Sequence, residues 1–321
     1  MRSFICVLLL SLAAAGGAAA GEAAVAMEPA DDLAGPSFVS AKAWAIVDGK
    51  TGKLLWGHNE DVPCKSASTT KIMCAWLVLG LAEKNPSVLE EKITFSKFAD
   101  DTVGSTSGIK AGESLTVGEC LYGLLLPSGN DAGNALAEHF NDRFARADDS
   151  KSGDDKTTPR SNFIAEMNRR AKTLGMSKTT YRSPYGDGGT AADRTTTPRD
   201  LLRLAWTAMQ DERFRKYVAT QSHETTLKTA DGQTRQVTWT NTNQLLGIEG
   251  FDGVKTGTNE GAGACLVSSG HRGDDHLLVV VLGSTSPEGR YVDTKDLFRW
   301  AWLQRGHQAS EKPAKAKAST P

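Results

Sequence analysis

The chain has 321 residues, 39% hydrophobic and 23% charged, with 37 Lys and Arg against 38 Asp and Glu and a formal net charge of −1. This balance suits a soluble globular protein of one large or two modest domains. It excludes the basic excess that a nucleic-acid binder carries, so no nucleic-acid partner is expected.

The N-terminus comes first. Arg2 is followed by an apolar run from Phe4 to Ala15 and then by small residues ending in Ala18-Ala19-Ala20. This is the pattern of a secretory signal peptide over residues 1–20, with cleavage near Ala20 and an exported product. A retained anchor is the alternative, but the run is short for a spanning helix and ends in Gly and Ala. No later stretch is long and apolar enough to span a bilayer, so no clear membrane anchor is expected in the mature chain. Residues 21–39, rich in Ala, Gly, Pro and Asp, form a flexible leader.

Structured sequence begins near Ser40. Ala43 to Asp48 and Leu54 to His58 are two strands joined by Asp48-Gly49-Lys50-Thr51-Gly52, a hairpin turn. Ser68 to Glu83 is a helix, apolar or small nearly all round and therefore central, with Pro86 beyond its end. Short strands are expected around Ile93-Thr94-Phe95 and Leu115-Thr116. Helices follow over Val117 to Leu126, stopped by Pro127, and over Asp131 to Phe140. Residues 141–161 are charged and low in apolar content, a solvated loop or, alternatively, a partner-binding insertion. Phe163 to Leu174 is an amphipathic helix capped by Gly175, a loop runs through Ser183 to Gly189, and Thr197-Pro198 opens another helix.

The C-terminal part is strand-rich: Glu224 to Leu227, Arg235 to Trp239, Gly263 to Ser268 and His276 to Leu282. The last contains a continuous apolar run, the mark of a buried central strand. Thr294 to Gln304 closes the domain as a helix, and residues 306–321 are a disordered Lys/Ala/Ser/Pro tail. Strands at both ends with helices between imply an α+β fold. An antiparallel sheet built from N- and C-terminal strands would pack against helices, with a helical lobe beside it, all within a catalytic domain over 40–305.

Cys6 leaves with the signal, while Cys64, Cys74, Cys120 and Cys265 remain. An exported chain can pair them. Their apolar settings favour buried free thiols, and the pairing stays open. No Cys/His spacing resembles a zinc site, and no cofactor or metal is called for: His271 and His276 lack partners at ligand spacing.

Three short motifs carry the chemistry: Ser68-Thr69-Thr70-Lys71, Ser128-Gly129-Asn130 and Lys255-Thr256-Gly257. At i and i+3 of a helix, Ser68 and Lys71 share a face. A serine is a poor nucleophile without a base, and a lysine acts as one only when burial or a nearby cation depresses its pKa. Lys255 is a candidate for that cation. Ser128 can relay a proton to a leaving amine, and Asn130 can bind a substrate carbonyl or hold Lys71. Lys255 and Thr256 can bind a carboxylate, and Gly257 permits close approach on a strand against which an extended peptide would lie. The N–H groups of Ser68 and Thr258 are candidates for an oxyanion hole. Each motif also has a plainer account: a surface lysine, a helix N-cap, a turn lysine on an edge strand. Ser-x-x-Lys also occurs at Ser107 to Lys110, but within a Gly/Ser-rich loop with no apolar helix behind it, and is rejected as the nucleophile.

Together the motifs resemble those of class A β-lactamases and penicillin-binding proteins. The match extends over about residues 40–304 and resembles the low-molecular-weight penicillin-binding proteins, the serine-type D-alanyl-D-alanine carboxypeptidases of peptidase family S11. It is carried by residues 63–77 (Pro-Cys-Lys-Ser-Ala-Ser-Thr-Thr-Lys-Ile-Met-Cys-Ala-Trp-Leu), by Leu126 to Ala137, by Gly250 to Val267, and by Leu174-Gly175-Met176 and Tyr185-Gly186. The resemblance implies a β-lactamase/transpeptidase-like fold and acylation of Ser68 by peptidoglycan stem peptides ending in D-Ala-D-Ala. It also implies release of D-Ala and covalent inhibition by β-lactams, and Arg290 resembles a family arginine near the substrate carboxylate. A DD-endopeptidase using the same residues and a non-catalytic peptidoglycan-binding module are the alternatives. A β-lactamase fits less well, because the second motif is Ser-Gly-Asn rather than Ser-Asp-Asn and no Glu-x-x-Leu-Asn segment is found. Residues 141–161 are longer than the family pattern. Many members carry a further β-rich domain and an amphipathic C-terminal anchor, which the polar tail does not resemble.

Overall fold

The structure, a computed structural model, describes residues 36, 38–146, 158–186 and 195–306. The expected signal peptide, most of the leader, the tail beyond Gly306 and the middle of the charged stretch lie outside them. Strands Ala43–Asp48 (β1) and Leu54–His58 (β2) form the expected hairpin, with Asp48 Oδ1 accepting from Thr51 N at 2.8 Å to fix its turn. A 3₁₀ turn, Ala67–Thr70, precedes helix Lys71–Lys84 (α1). The single helix expected from Ser68 is therefore corrected: Ser68 stands on the tighter turn, and Lys71 opens the α-helix.

Strand Lys92–Thr94 (β3), the short helix Lys97–Asp100 (α2) and strand Ser114–Thr116 (β4) follow. Helices Val117–Leu125 (α3) and Asn130–Phe140 (α4) come next. Thr116 caps α3, its side chain accepting from Glu119 N. Helices Ser161–Thr173 (α5), Pro198–Ala208 (α6) and Glu212–Ala219 (α7) complete the middle of the chain. Thr197 caps α6 with Pro198 in its first turn, as the sequence predicts. Neither α2 nor α7 is expected from the sequence: α2 is too short for a periodic pattern, and α7 is strongly polar.

The remaining strands are Ser222–Lys228 (β5), Thr234–Thr240 (β6), Phe251–Asn259 (β7), Gly263–Arg272 (β8) and Asp275–Ser284 (β9). Helix Gly289–Gln304 (α8) ends the fold and starts earlier than expected, so Arg290 lies in its first turn. The main sheet has the order β2-β1-β9-β8-β7, antiparallel throughout, and does join the two ends of the chain. A second sheet, β3-β4-β5-β6, takes in the two strands at 222–240. Those strands were expected in the main sheet, and the assignment is corrected: their alternating exposure suits a sheet with one solvated face, whereas the main sheet is covered on both.

That double cover explains the apolar run on β9. Leu278, Val280 and Leu282 face the core shared with α1, α3, α4 and α6, while Leu277, Val279 and Val281 pack with Leu297, Phe298 and Ala301 of α8. Helix α1 is enclosed as predicted, with Ile72, Met73, Cys74, Val78 and Leu79 fully buried. Among the described residues no helix is long and apolar enough to cross a membrane. The four cysteines described are free thiols, three buried and Cys64 half-buried. Burial raises the Cys74 thiol to about 12.

Candidate active site

The 3₁₀ turn, the start of α4, the edge strand β7 and the start of α8 bring the motif residues together. Lys71 is fully buried, and its Nζ lies 2.9 Å from Ser68 Oγ, 2.7 Å from Asn130 Oδ1 and 3.2 Å from the carbonyl oxygen of Tyr185. Nζ is thus within hydrogen-bond reach of the Ser68 hydroxyl while two amide oxygens hold it in place. That is the geometry a general base requires.

Asn130 is itself held from two sides: its Nδ2 donates to Val103 O at 2.9 Å and its backbone N to Ser105 O at 2.8 Å. Loop 103–108 is locked in turn by Asp131, which accepts from Ser107 N at 2.8 Å and from Thr106 Oγ1 at 2.7 Å. Ser107 Oγ also donates to Asp131, at 2.9 Å, while Lys110 pairs at the surface with Asp100. The second Ser-x-x-Lys copy is thus a structural clamp. The expectation that a loop presents Ser128 and Asn130 needs correction. Both are buried, and Asn130 is the first residue of α4. The Ser128 hydroxyl is enclosed without a hydrogen-bond partner, and its backbone takes φ 67°.

A non-glycine residue in the left-handed region is strained by about 1–2 kcal/mol. Ala67, at φ 45°, is a second case and immediately precedes Ser68. Gly186, at φ 77°, packs so closely that a side-chain carbon there would lie 1.9 Å from Ala67 O. The strained turn is therefore clamped from the Tyr185-Gly186 side. From the other side comes Gly257, where a side-chain carbon would lie 3.0 Å from Ser68 N and 3.1 Å from Ser66 O. β7 is an edge strand of the main sheet and runs past Ser68 on this flank.

Lys255 lies in the middle of β7, rather than at the start of a strand, and is 1% exposed. Its Nζ donates to Thr256 O at 3.3 Å. Burial, with a smaller push from Arg290, lowers it to about 7. Thr256 Oγ1 shares a hydrogen bond of 2.7 Å with Thr242 Oγ1. Arg290, also buried, donates through Nη1 to Thr258 Oγ1 at 2.7 Å and to Gly257 O at 3.3 Å. Tyr291 OH, 3.4 Å from Arg290 Nη2, donates to Thr242 O at 2.9 Å and closes the ring. Among the described residues neither Lys255 nor Arg290 has a carboxylate at ion-pair distance, so this end of the cleft gathers two basic side chains without an acidic partner.

Sequence reasoning does not name the Tyr185 carbonyl, Thr242 or Tyr291 as parts of the site. The first acts through its backbone, which carries no side-chain signal. The other two reach the cleft only through long-range packing.

The family profile described as D-alanyl-D-alanine carboxypeptidase matches residues 30–286. A D-alanyl-D-alanine carboxypeptidase of Streptomyces sp. (strain K15) is 34% identical over 85% of this chain and 91% of its own length. The DacF carboxypeptidase of Bacillus subtilis is 29% identical over 82% of this chain, which spans 62% of that protein. The crystal structure of the Streptomyces K15 DD-transpeptidase superposes with a TM-score of 0.75 at 34% identity, covering 84% of this chain and 99% of that one. Penicillin-binding protein D2 of Listeria monocytogenes, in its ampicillin-bound form, gives a TM-score of 0.63 at 27% identity, covering 83% and 98%. The chain therefore belongs to the D-alanyl-D-alanine carboxypeptidase family, peptidase family S11.

Proposed function

We propose that the chain is a serine DD-carboxypeptidase that removes the terminal D-Ala from peptidoglycan stem peptides through an acyl-enzyme on Ser68. The observation that carries this is Lys71 Nζ, buried and bonded to both Ser68 Oγ and Asn130 Oδ1. In this reading the peptide lies along β7 with its terminal carboxylate at Lys255, Thr256, Thr258 and Arg290. Ser68 Oγ attacks the carbonyl of the penultimate residue as Lys71 takes its proton. The N–H groups of Ser68 and Thr258 bind the oxyanion. The Ser128 hydroxyl passes a proton to the departing amine, D-Ala leaves, and water hydrolyses the ester. β-Lactams enter by the same acylation.

The substrate places the work outside the cytoplasm, in keeping with the N-terminal export signal read in the sequence. The Streptomyces relative is named both a carboxypeptidase and a DD-transpeptidase, so an amine competing with water for the acyl group is a second outcome to measure.

Purified protein incubated with fluorescent penicillin should label covalently, and Ser68→Ala should not. Absence of wild-type labelling, or persistence in the variant, would overturn the assignment. Incubation with muropeptides followed by mass analysis should show loss of one alanine. Halving of dimers would indicate endopeptidase action, and adducts with added glycine would indicate transfer.

A further inference from the structure

Arg160 is a cation beside the cleft that the mechanism above does not use. It immediately precedes α5, and its guanidinium carbon lies over two aromatic rings, 5.4 Å from the Phe98 centroid and 5.8 Å from that of Tyr185. Lys71 Nζ lies 5.8 Å from the same Tyr185 ring. Arg160 Nη1 donates to Asn134 Oδ1 at 2.6 Å, and Nε is buried without a partner. Among the described residues no carboxylate stands at ion-pair distance from it. Glu138 acts on it only at longer range, and that carboxyl is bonded instead to Ser96 Oγ at 2.7 Å.

Arg160 also belongs to the wall of the site. Asn134 Nδ2 donates to Thr102 Oγ1 at 2.7 Å, the next residue's carbonyl holds Asn130, and Asn130 holds Lys71. A continuous polar wall thus runs from the base to Arg160. None of these residues bonds to Arg290, beside which the substrate's terminal carboxylate would sit. A guanidinium held by Asn134 and packed over two rings has less rotamer freedom left to lose on binding a planar anion.

Resting on the carboxypeptidase reading, we infer that Arg160 is a specificity-determining residue that binds a carboxylate on the acyl side of the scissile bond. The cleft then reads an anion at each end of the peptide. Arg290 and Lys255 take the terminal carboxylate, and Arg160 takes an acidic group upstream.

The test uses two acetylated tetrapeptides ending in D-Ala-D-Ala that differ only by carboxylate or carboxamide in the residue two before those alanines. The wild type should favour the carboxylate by about tenfold in kcat/KM, mostly through KM, the size of effect one charge-assisted pair gives. Arg160→Gln should abolish the preference, bringing kcat/KM for the carboxylate peptide down to that variant's own value for the carboxamide peptide. Arg160→Lys should keep part of it. Equal rates on both peptides in the wild type, or an Arg160→Gln variant that loses both substrates alike, would overturn the inference. Penicillin labelling separates the two levels: if it fails in the wild type the carboxypeptidase reading falls, and if it succeeds without a charge preference only Arg160's role does.

Discussion

Lys255 is a buried basic side chain whose charge is set by its surroundings. Burial first, and the Arg290 guanidinium second, lower it from 10.5 to about 7. Between those values the unfolded chain binds a proton that the folded chain does not, so this group makes stability rise with pH across the window. The penalty for a charged, buried ammonium is fully present below about pH 7 and is relieved as pH rises toward 10.5. At about 1.4 kcal/mol per pH unit it is bounded by about 5 kcal/mol. Lys255→Met keeps the length and removes the charge. In denaturant titrations the variant should be more stable than wild type by about 1–3 kcal/mol near pH 6, with the gap closing toward pH 10. Turnover of a D-Ala-D-Ala peptide should fall by about 10²-fold, the usual order for losing one electrostatic contact in a water-excluded site. A stability gap that does not change with pH would show that the ammonium is not what burial penalises. In the proposed function a substrate carboxylate supplies the partner that this ammonium lacks.

At the scale of elements, the site depends on how closely an edge strand approaches a strained turn. Gly257 of β7 has no room for a side chain: the added carbon would press on Ser68 N, Ser66 O and, at 3.2 Å, Ala67 Cβ. The turn cannot retreat, because Gly186 backs it on the other side. Gly257→Ala should therefore shift the Ser68 N–H by a few tenths of an ångström and slow penicillin acylation by about 10²-fold. Melting temperature should move little, since the main-sheet register survives. Acylation at the wild-type rate would mean that the turn is more compliant than its packing implies. Much of this was legible in the sequence, and the reason differs by residue. Ser68 was separable from Ser107 because only the former leads into an apolar helix. The β1–β2 hairpin and α6 were marked by turn and cap chemistry. The 3₁₀ form of the Ser68 turn was not legible, because its cause is the Gly186 contact more than 100 residues away. Nor was the split into two sheets, which depends on strand partners rather than strand propensities.

At the scale of the whole molecule, the main sheet joins β1 and β2 to the C-terminal strands, and a buried histidine lies at that joint. The β1–β2 turn meets the β8–β9 hairpin where Gly49 N donates to His276 O at 2.7 Å. Arg305, just past α8, binds Asp48 at 3.0 Å and Asp275 at 2.8 Å. Inside the joint, His276 Nε2 shares a hydrogen bond of 2.9 Å with Ser269 Oγ, and its ring stacks on His271 at 4.1 Å. Burial, then the His271 charge, lowers His276 from 6.5 to about 4, against opposing pulls from Asp252, Asp48 and Asp275. The folded state thus keeps His276 neutral where the unfolded chain would protonate it. The stability this represents is intact above about pH 6.5 and is lost as pH falls toward 4, a change of at most about 3 kcal/mol. Asp252 titrates in a different window. Burial raises it, but hydrogen bonds from His271 and Ser269 outweigh that and hold it below 3.8, so its contribution is lost only at more acid pH. His276→Gln retains a polar group toward Ser269 and cannot titrate. The wild type should lose melting temperature steadily between pH 6.5 and 4, while His276→Gln should start lower and run flat over that interval, converging with wild type near pH 4. Parallel curves for the two proteins would place the acid sensitivity elsewhere and leave the chain-end joint without a titrating group.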